Sequence, residues 1–112
     1  MHIGWVGGLE RNDATFAQLA AAAGHKLEFH TGDIRGQGAK ALRRLVKRSS
    51  FVIILTTINS HGGVQLAKRV AHKQNCPSVV MQRCGQSRFR QLITAIDQPA
   101  GILRHYVSDI SN

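Results

Sequence analysis

The sequence predicts an α/β fold in which four parallel strands alternate with four helices in the order βαβαβαβα. Short apolar runs that end in glycine or polar residues recur along the chain, and each is followed by a segment with apolar residues at helical spacing. The connections between these segments are short. Because strand–helix–strand units of this kind cross over with a right hand, consecutive strands are expected to lie parallel in one sheet.

The first strand–helix unit begins the chain. Its strand covers residues 2–7, with Gly7-Gly8 at the end. We expect Asn12 or Asp13 to cap the helix that follows, and Gly24 to end that helix in a left-handed conformation. The residues that make its apolar face are Phe16, Leu19, Ala22 and Ala23.

The middle of the chain contains the second unit and the third strand. Residues 26–30 alternate polar and apolar side chains, which indicates a strand near a sheet edge. A helix over residues 39–48 follows, and its apolar side is Leu42, Leu45 and Val46. Phe51–Leu55 is a run of consecutive apolar residues, as is typical of a strand buried on both faces.

The third helix is predicted over residues 63–74 and the fourth strand over 77–81. The residues that the third helix buries are Val64, Ala67, Val70 and Ala71. Ser87 is expected to cap the fourth helix. The residues that this helix presents to the sheet are Phe89, Leu92, Ile93 and Ile96.

Residues 1–97 are therefore expected to form a single domain. Pro99-Ala100-Gly101 separates this domain from a C-terminal tail, residues 98–112, which has apolar residues at helical spacing. The tail is expected to pack on the domain or on a partner chain. Because four strands leave sheet edges uncovered, a homodimer is expected.

The charge of the chain is strongly positive and unevenly distributed. Fifteen Lys and Arg face six Asp and Glu, and no acidic residue lies between Asp33 and Asp97, where twelve of the basic residues are found. Such a chain attracts polyanions. The sequence contains no apolar run long enough to span a membrane, no visible signal peptide and no disulfide framework. A cytoplasmic location without a membrane partner is expected.

Polar turns follow all four predicted strands, and the carboxyl ends of parallel strands share one rim of the sheet, where ligands of open α/β sheets bind. The exit of the third strand is expected to lie between His30 and the run Arg83–Ser87. Glycines, helix N-termini and arginines at this rim suit an anionic ligand. The residues expected to bind it are Gly7, Gly8, His30, Gly32, Asn59, Ser60, His61, Arg83, Ser87 and Arg88.

Two helices also carry a basic surface that suits the backbone of nucleic acid. The residues of the second helix in this surface are Lys40, Arg43, Arg44, Lys47 and Arg48. The third helix adds Lys68, Arg69, His72 and Lys73. Stacking on bases needs exposed aromatic rings, and these are scarce, because Trp5 and the phenylalanines all fall at core positions. Binding is therefore expected to be led by phosphate contacts, with weak sequence specificity.

Two alternatives stay open. His30 and His61 end separate strands and could hold a metal ion or haem, with Cys84 as a third ligand, although no local metal-ligand spacing is present. Residues 84–90 match the pattern Cys-x5-Arg of thiolate phosphatases, which allows a small hydrolase with Cys84 as nucleophile and His61 as acid or base. Arg90 is expected to lie in the fourth helix already. No standard nucleotide-binding motif is present, and no motif identifies a cofactor.

The order of several short motifs resembles the bacterial DUF2325 family over residues 2–97. The motifs of the first half are Val6-Gly7-Gly8, Gly24-His25 and Phe29-His30-Thr31-Gly32, and those of the second half are Asn59-Ser60-His61, Pro77, Arg83 and Gly85-x-Ser87. The turn Thr31-Gly32-Asp33 has fewer glycines than is common in that family.

The resemblance implies a small flavodoxin-like or Rossmann-like three-layer domain. The positions that match the family are Gly7, Gly8, His30, Gly32, Ser60, His61 and Ser87. The family has no assigned function. The leading hypothesis is therefore a non-enzymatic binding or regulatory domain without catalytic residues, which takes an anionic small molecule or a nucleic-acid backbone.

Overall fold

Strands and helices alternate throughout the part of the chain that the computed structural model describes, residues 1–8 and 13–97. The elements are β1 (His2–Val6), α1 (Asp13–Ala22), β2 (Lys26–His30), α2 (Gly38–Arg48), β3 (Phe51–Leu55), α3 (His61–Lys73), β4 (Ser78–Met81) and α4 (Gln86–Ile96). The predicted order βαβαβαβα is confirmed. The proposed tail, residues 98–112, and the proposed cap Asn12 lie outside the described residues.

The four strands form one parallel sheet in the order β2-β1-β3-β4. This is the order of the first four strands in flavodoxin-like sheets. The direction in which strands are added to the sheet reverses between β1 and β3. β3 is interior and buried along its whole length, and β2 lies at an edge, both as predicted. The strand next to β3 on the β2 side is β1. The expectation that His30 adjoins the exit of β3 is therefore wrong by one strand.

Two apolar layers hold helices on the two faces of the sheet. On one face, α1 and α4 enclose an aromatic group in which the Trp5 ring lies 4.8 Å from the ring of Phe16 and 5.7 Å from that of Phe89, between centroids. On the other face, α2 and α3 pack on Val6, Val52 and Ile54. Alternate side chains of β3 enter the two layers, which explains why its sequence is apolar without interruption.

Most predicted core residues are buried, with differences at the helix faces. Ala20 takes the place predicted for Ala22 and Ala23, which are exposed. In α3, Leu66 is buried, whereas Val64 and Val70 are only partly so. The faces of α2 and α4 are as predicted. No helix in the described ranges is long and apolar enough to cross a membrane.

Two helix starts differ from the prediction. α3 begins at His61 because the Ser60 hydroxyl accepts a hydrogen bond from Gly63 N (2.8 Å) and caps the helix. α4 begins at Gln86 after an extended Gly85, so that Ser87 lies inside the first turn. The expectation that Ser87 caps α4 is therefore wrong.

Candidate functional site

The side chain of Asn59 fills the crevice between the carboxyl ends of β1 and β3. Its Nδ2 donates to Leu55 O (2.7 Å) and, at the longer distance of 3.5 Å, to Val6 O. Its Oδ1 is buried and accepts no hydrogen bond from the described residues. This position is the topological switch point of the sheet, where open α/β proteins bind ligands. In this chain a side chain of the protein occupies it.

Glycines surround this amide because no larger residue fits there. A Cβ atom on Gly7 or on Gly32 would overlap the Asn59 side chain, and both glycines have left-handed backbones, with φ of 82° and 92°. A Cβ on Gly63 would overlap Gly32 O. Gly7 and Gly32, which were predicted to approach a ligand, thus approach Asn59.

His30 lies beside this packing and uses both ring nitrogens on the backbone. Nδ1 accepts from Gly32 N, so Nε2 carries the proton and donates to Gly38 O, each at 2.9 Å. Either bond would have to break before His30 could bind a metal ion. His61, the first residue of α3, is exposed. In the described ranges no group of three or more His, Cys, Asp or Glu is placed to hold a metal ion.

Ser60 joins two of the loops at the rim. Besides capping α3, its hydroxyl donates to Gly32 O (2.7 Å). The structure thus brings together five predicted site residues, which are Gly7, Gly32, Asn59, Ser60 and, at their margin, His30. Gly8 adjoins them through a hydrogen bond from its N–H to Ile58 O (3.0 Å).

The predicted residues Arg83, Ser87 and Arg88 form a separate part of the rim. All three are exposed in and after the β4–α4 connection. The link between this connection and the exit of β3 is a hydrogen bond from the Thr57 hydroxyl to Gln82 O (2.6 Å). No side chain caps the start of α4, so no capping side chain accepts a hydrogen bond from the first N–H groups of this helix.

A cleft of about 480 Å³ opens at the rim on the outer side of Asn59. The residues that line this rim cleft are Thr31, Asp33, Ile34, Arg35, Ile58, Asn59 and Ser60. Asn59 and Ser60 were predicted as ligand-binding residues, whereas the other five lining residues were not: Thr31, Asp33, Ile34, Arg35 and Ile58. Ile58 is 54% exposed and has a φ of 48°, an unusual conformation for a β-branched residue. A single apolar residue within the polar run 56–61 was the available signal.

The charges in the rim cleft are paired with each other. Arg35 donates from its guanidinium to both carboxylate oxygens of Asp33 (3.0 and 2.9 Å), and its backbone N–H donates to the same carboxylate. These hydrogen bonds hold the pKa of Asp33 well below its usual range. The cleft therefore carries a carboxylate and a guanidinium that neutralise one another.

The cysteines are placed poorly for nucleophilic chemistry. Burial raises the pKa of Cys84 to about 11, and burial also raises the pKa of Cys76. Cys84 is therefore a neutral thiol near pH 7, and the thiol is a weak nucleophile compared with the thiolate. Arg90 lies within α4, as predicted, rather than in a loop around the Cys84 thiol.

The helices α2 and α3 pack side by side, and their exposed basic side chains together form a surface named here the basic face. The exposed residues that form it are Lys40, Arg43, Arg44, Lys47, Lys68, Arg69, His72 and Lys73. None of them forms an ion pair with another described residue. Arg48 does, because its Nε donates to Glu28 (3.0 Å), and this hydrogen bond lowers the pKa of Glu28.

The described acidic residues all lie away from the basic face or are already paired. Asp13 begins α1 on the opposite face of the sheet, and Asp97 at the end of α4 accepts from His25 (2.9 Å). Asp33 pairs with Arg35, as described above. Beside the basic face, a second cleft of about 600 Å³ runs between α3 and the β4 edge, lined by Gln65, Lys68, Arg69, His72, Ser78 and Val80.

These features define a small parallel α/β domain with a closed switch point, an open rim cleft and one basic helical face. The chain belongs to the DUF2325 family, described as an uncharacterized protein conserved in bacteria, whose family profile matches residues 2–96 of the 112. The resemblance in the sequence motifs is thereby confirmed. No curated protein and no solved structure matches the chain.

Proposed function

We propose that the protein is a non-enzymatic binding domain that attaches to the phosphate backbone of nucleic acid through its basic face. The observation that carries this proposal is the segregation of charge: eight exposed basic or histidine side chains lie on two adjacent helices without a described acidic partner. Lys and Arg side chains that neutralise phosphates release the counterions condensed on the nucleic acid, and this release favours binding.

The dimensions of the basic face suit a nucleic-acid strand. α2 has 11 residues and α3 has 13. At 1.5 Å per residue the longer helix extends over roughly 20 Å, which is the length of about six nucleotide steps of B-form DNA. Lys68, Arg69 and His72 of the basic face also line the cleft between α3 and the β4 edge.

The interior position of the aromatic rings favours backbone binding over base stacking. Trp5, Phe51 and Phe89 are at most 2% exposed and Phe16 is 7% exposed. Phe29 is partly buried against the same layer. Contacts from Lys and Arg to phosphates position a strand without reading its sequence, so we expect weak dependence of the affinity on base sequence.

The test compares two variants with equal charge on different surfaces. In the first, Arg43, Arg44 and Lys47 of the basic face are replaced by Gln. In the second, Arg83, Arg88 and Arg90 near the start of α4 are replaced by Gln. Both substitutions lower the formal net charge from +9 to +6. Binding of a short labelled oligonucleotide is followed by fluorescence anisotropy at several salt concentrations.

The wild type should bind, and its affinity should fall steeply with salt. Because a single strand gives a slope of about −0.7 per phosphate contacted, the first variant should flatten the plot of log K against log salt by about 2. The second variant should keep the wild-type slope. Equal losses of affinity in the two variants would show that binding depends on net charge alone. A greater loss of affinity in the second variant would favour the predicted anion site around Arg83 and Arg88.

A further inference from the structure

The rim cleft opens at the end of the basic face where both of its helices begin. Residues 31–35 lead into α2, and residues 58–60 lead into α3. Ile34 packs on Gly62 in the first turn of α3, so closely that a Cβ on Gly62 would lie 2.6 Å from Ile34 Cδ1. A strand that follows the two helices toward their N-termini therefore arrives at this cleft.

The lining of the cleft suits a neutral ring with polar edges. Ile34 and Ile58 provide aliphatic surface, and Thr31 provides an exposed hydroxyl group. Its only charged side chains, Asp33 and Arg35, are paired with each other. The volume of about 480 Å³ falls within the range of small-ligand sites, about 300–1,000 Å³. An isolated phosphate would find no unpaired cation among these lining residues, whereas a nucleobase would find apolar walls and hydrogen-bonding groups at its edge.

Ile58 is held at the lip of the cleft in a conformation that its own side chain disfavours. Left-handed backbones are strained in β-branched residues and persist only where the surroundings fix them. Here Gly8 N donates to Ile58 O (3.0 Å), and the next residue, Asn59, is anchored in the crevice. The result is an exposed aliphatic side chain at the cleft. Strain of this kind is concentrated at binding sites.

We propose that the rim cleft holds an unpaired nucleobase of the strand whose phosphates bind the basic face. This inference rests on the proposed function, because the backbone contacts bring the base to the cleft. It specifies the ligand as single-stranded nucleic acid or a strand end, since a paired base inside a duplex cannot enter. Contacts come from Ile34 and Ile58 on the ring and from the Thr31 hydroxyl at its edge.

The test uses two oligomers of equal length and equal phosphate charge. One is a single-stranded oligonucleotide, and the other is its fully abasic counterpart. The wild-type protein should bind the strand with bases about fivefold more tightly, which is less than a base gains from stacking on an aromatic ring. The substitution Ile58→Asn keeps a residue that tolerates the left-handed backbone, and it should abolish this preference without changing the salt dependence.

The outcomes separate the two proposals. Equal binding of the two oligomers by the wild type, with the salt dependence intact, would overturn the base site and leave the basic face standing. Failure of both oligomers to bind would overturn the proposed function itself. If the Ile58→Asn variant retains the preference, a second variant, Thr31→Val, tests the contribution of the Thr31 hydroxyl. Retention of the preference in that variant as well would also overturn the proposal.

Discussion

Replacement of Gly32 by Ala should destabilise the domain far more than the same replacement at Gly24. Both glycines have left-handed backbones, with φ of 92° and 84°. A Cβ on Gly24 meets no atom within 4 Å, whereas a Cβ on Gly32 overlaps the Asn59 amide. The left-handed conformation alone costs an L-residue about 1–2 kcal/mol, which both variants share. Overpacking adds about 1–3 kcal/mol in Gly32→Ala only.

The difference between the two variants therefore isolates the contact with Asn59. At about 4–8 °C per kcal/mol for a domain near this size, Gly32→Ala should melt roughly 10 °C below Gly24→Ala. Urea denaturation followed by circular dichroism measures the same difference as free energy. Both variants should remain folded, because the expected losses are smaller than the usual total stability of about 5–15 kcal/mol.

A double-mutant cycle with Asn59→Ala completes this test. Asn59→Ala removes the amide atoms that the new Cβ would overlap, so Gly32→Ala should cost about 1–3 kcal/mol less in that background. The reasoning is refuted if Gly32→Ala and Gly24→Ala lose the same free energy. It is equally refuted if the cost of Gly32→Ala is unchanged when Asn59 is Ala, because the crevice would then not be closed by that side chain.

Two further predictions concern the rim. Ser60→Ala should cost about 1–2 kcal/mol in urea denaturation, because it removes a helix cap and a hydrogen bond to Gly32, whereas Ser87→Ala should stay within about 0.5 kcal/mol; the reverse order would contradict the assignment of the cap. The rate at which Cys84 is alkylated in the folded protein, followed by mass spectrometry, should keep rising with pH up to about 11, because burial raises its pKa to about 11. A plateau near the ordinary thiol pKa of 9.0 would show that the thiol is not shifted.

The fold was predictable because its signals are local. The apolar run Phe51–Leu55 and the helical spacing in α2 and α4 reflect burial that any α/β arrangement imposes on those segments. The boundaries were less predictable, as the start of α4 shows. Ser87 is a good cap by residue type, but the extended Gly85 starts the helix earlier and thereby places Ser87 inside the first turn.

The strand order could not be predicted from the chain order. β2 follows β1 and precedes β3, yet β1 lies between them, because α2 carries the chain across β1 before β3 joins the sheet. Connections of similar length can place either β1 between β2 and β3 or β2 between β1 and β3. The expectation that His30 adjoins the exit of β3 depended on this order. In the structure a hydrogen bond from the Ser60 hydroxyl to Gly32 O connects the turns after β3 and β2.

The closed crevice could not be predicted either, since residue types alone do not distinguish a ligand from a side chain of the protein. Glycines at strand ends permit close approach in both cases. What separates the cases is that Gly7 and Gly32, far apart in sequence, converge on one amide. His30 illustrates the same limit, because its neutral ring satisfies two backbone groups that a ligand would otherwise contact.

The basic face was predictable in part from the sequence. Its charge depends on the helical period and not on exact geometry, because residues on the side of α2 opposite Leu42, Leu45 and Val46 must face solvent. The structure adds that α3 lies beside α2 with its own basic side chains outward. It also removes Arg48 from the set, since Arg48 pairs with Glu28. Because Asn59 fills the switch point and the basic side chains of two helices form no ion pair with a described residue, we propose the helices, and not the crevice, as the binding surface.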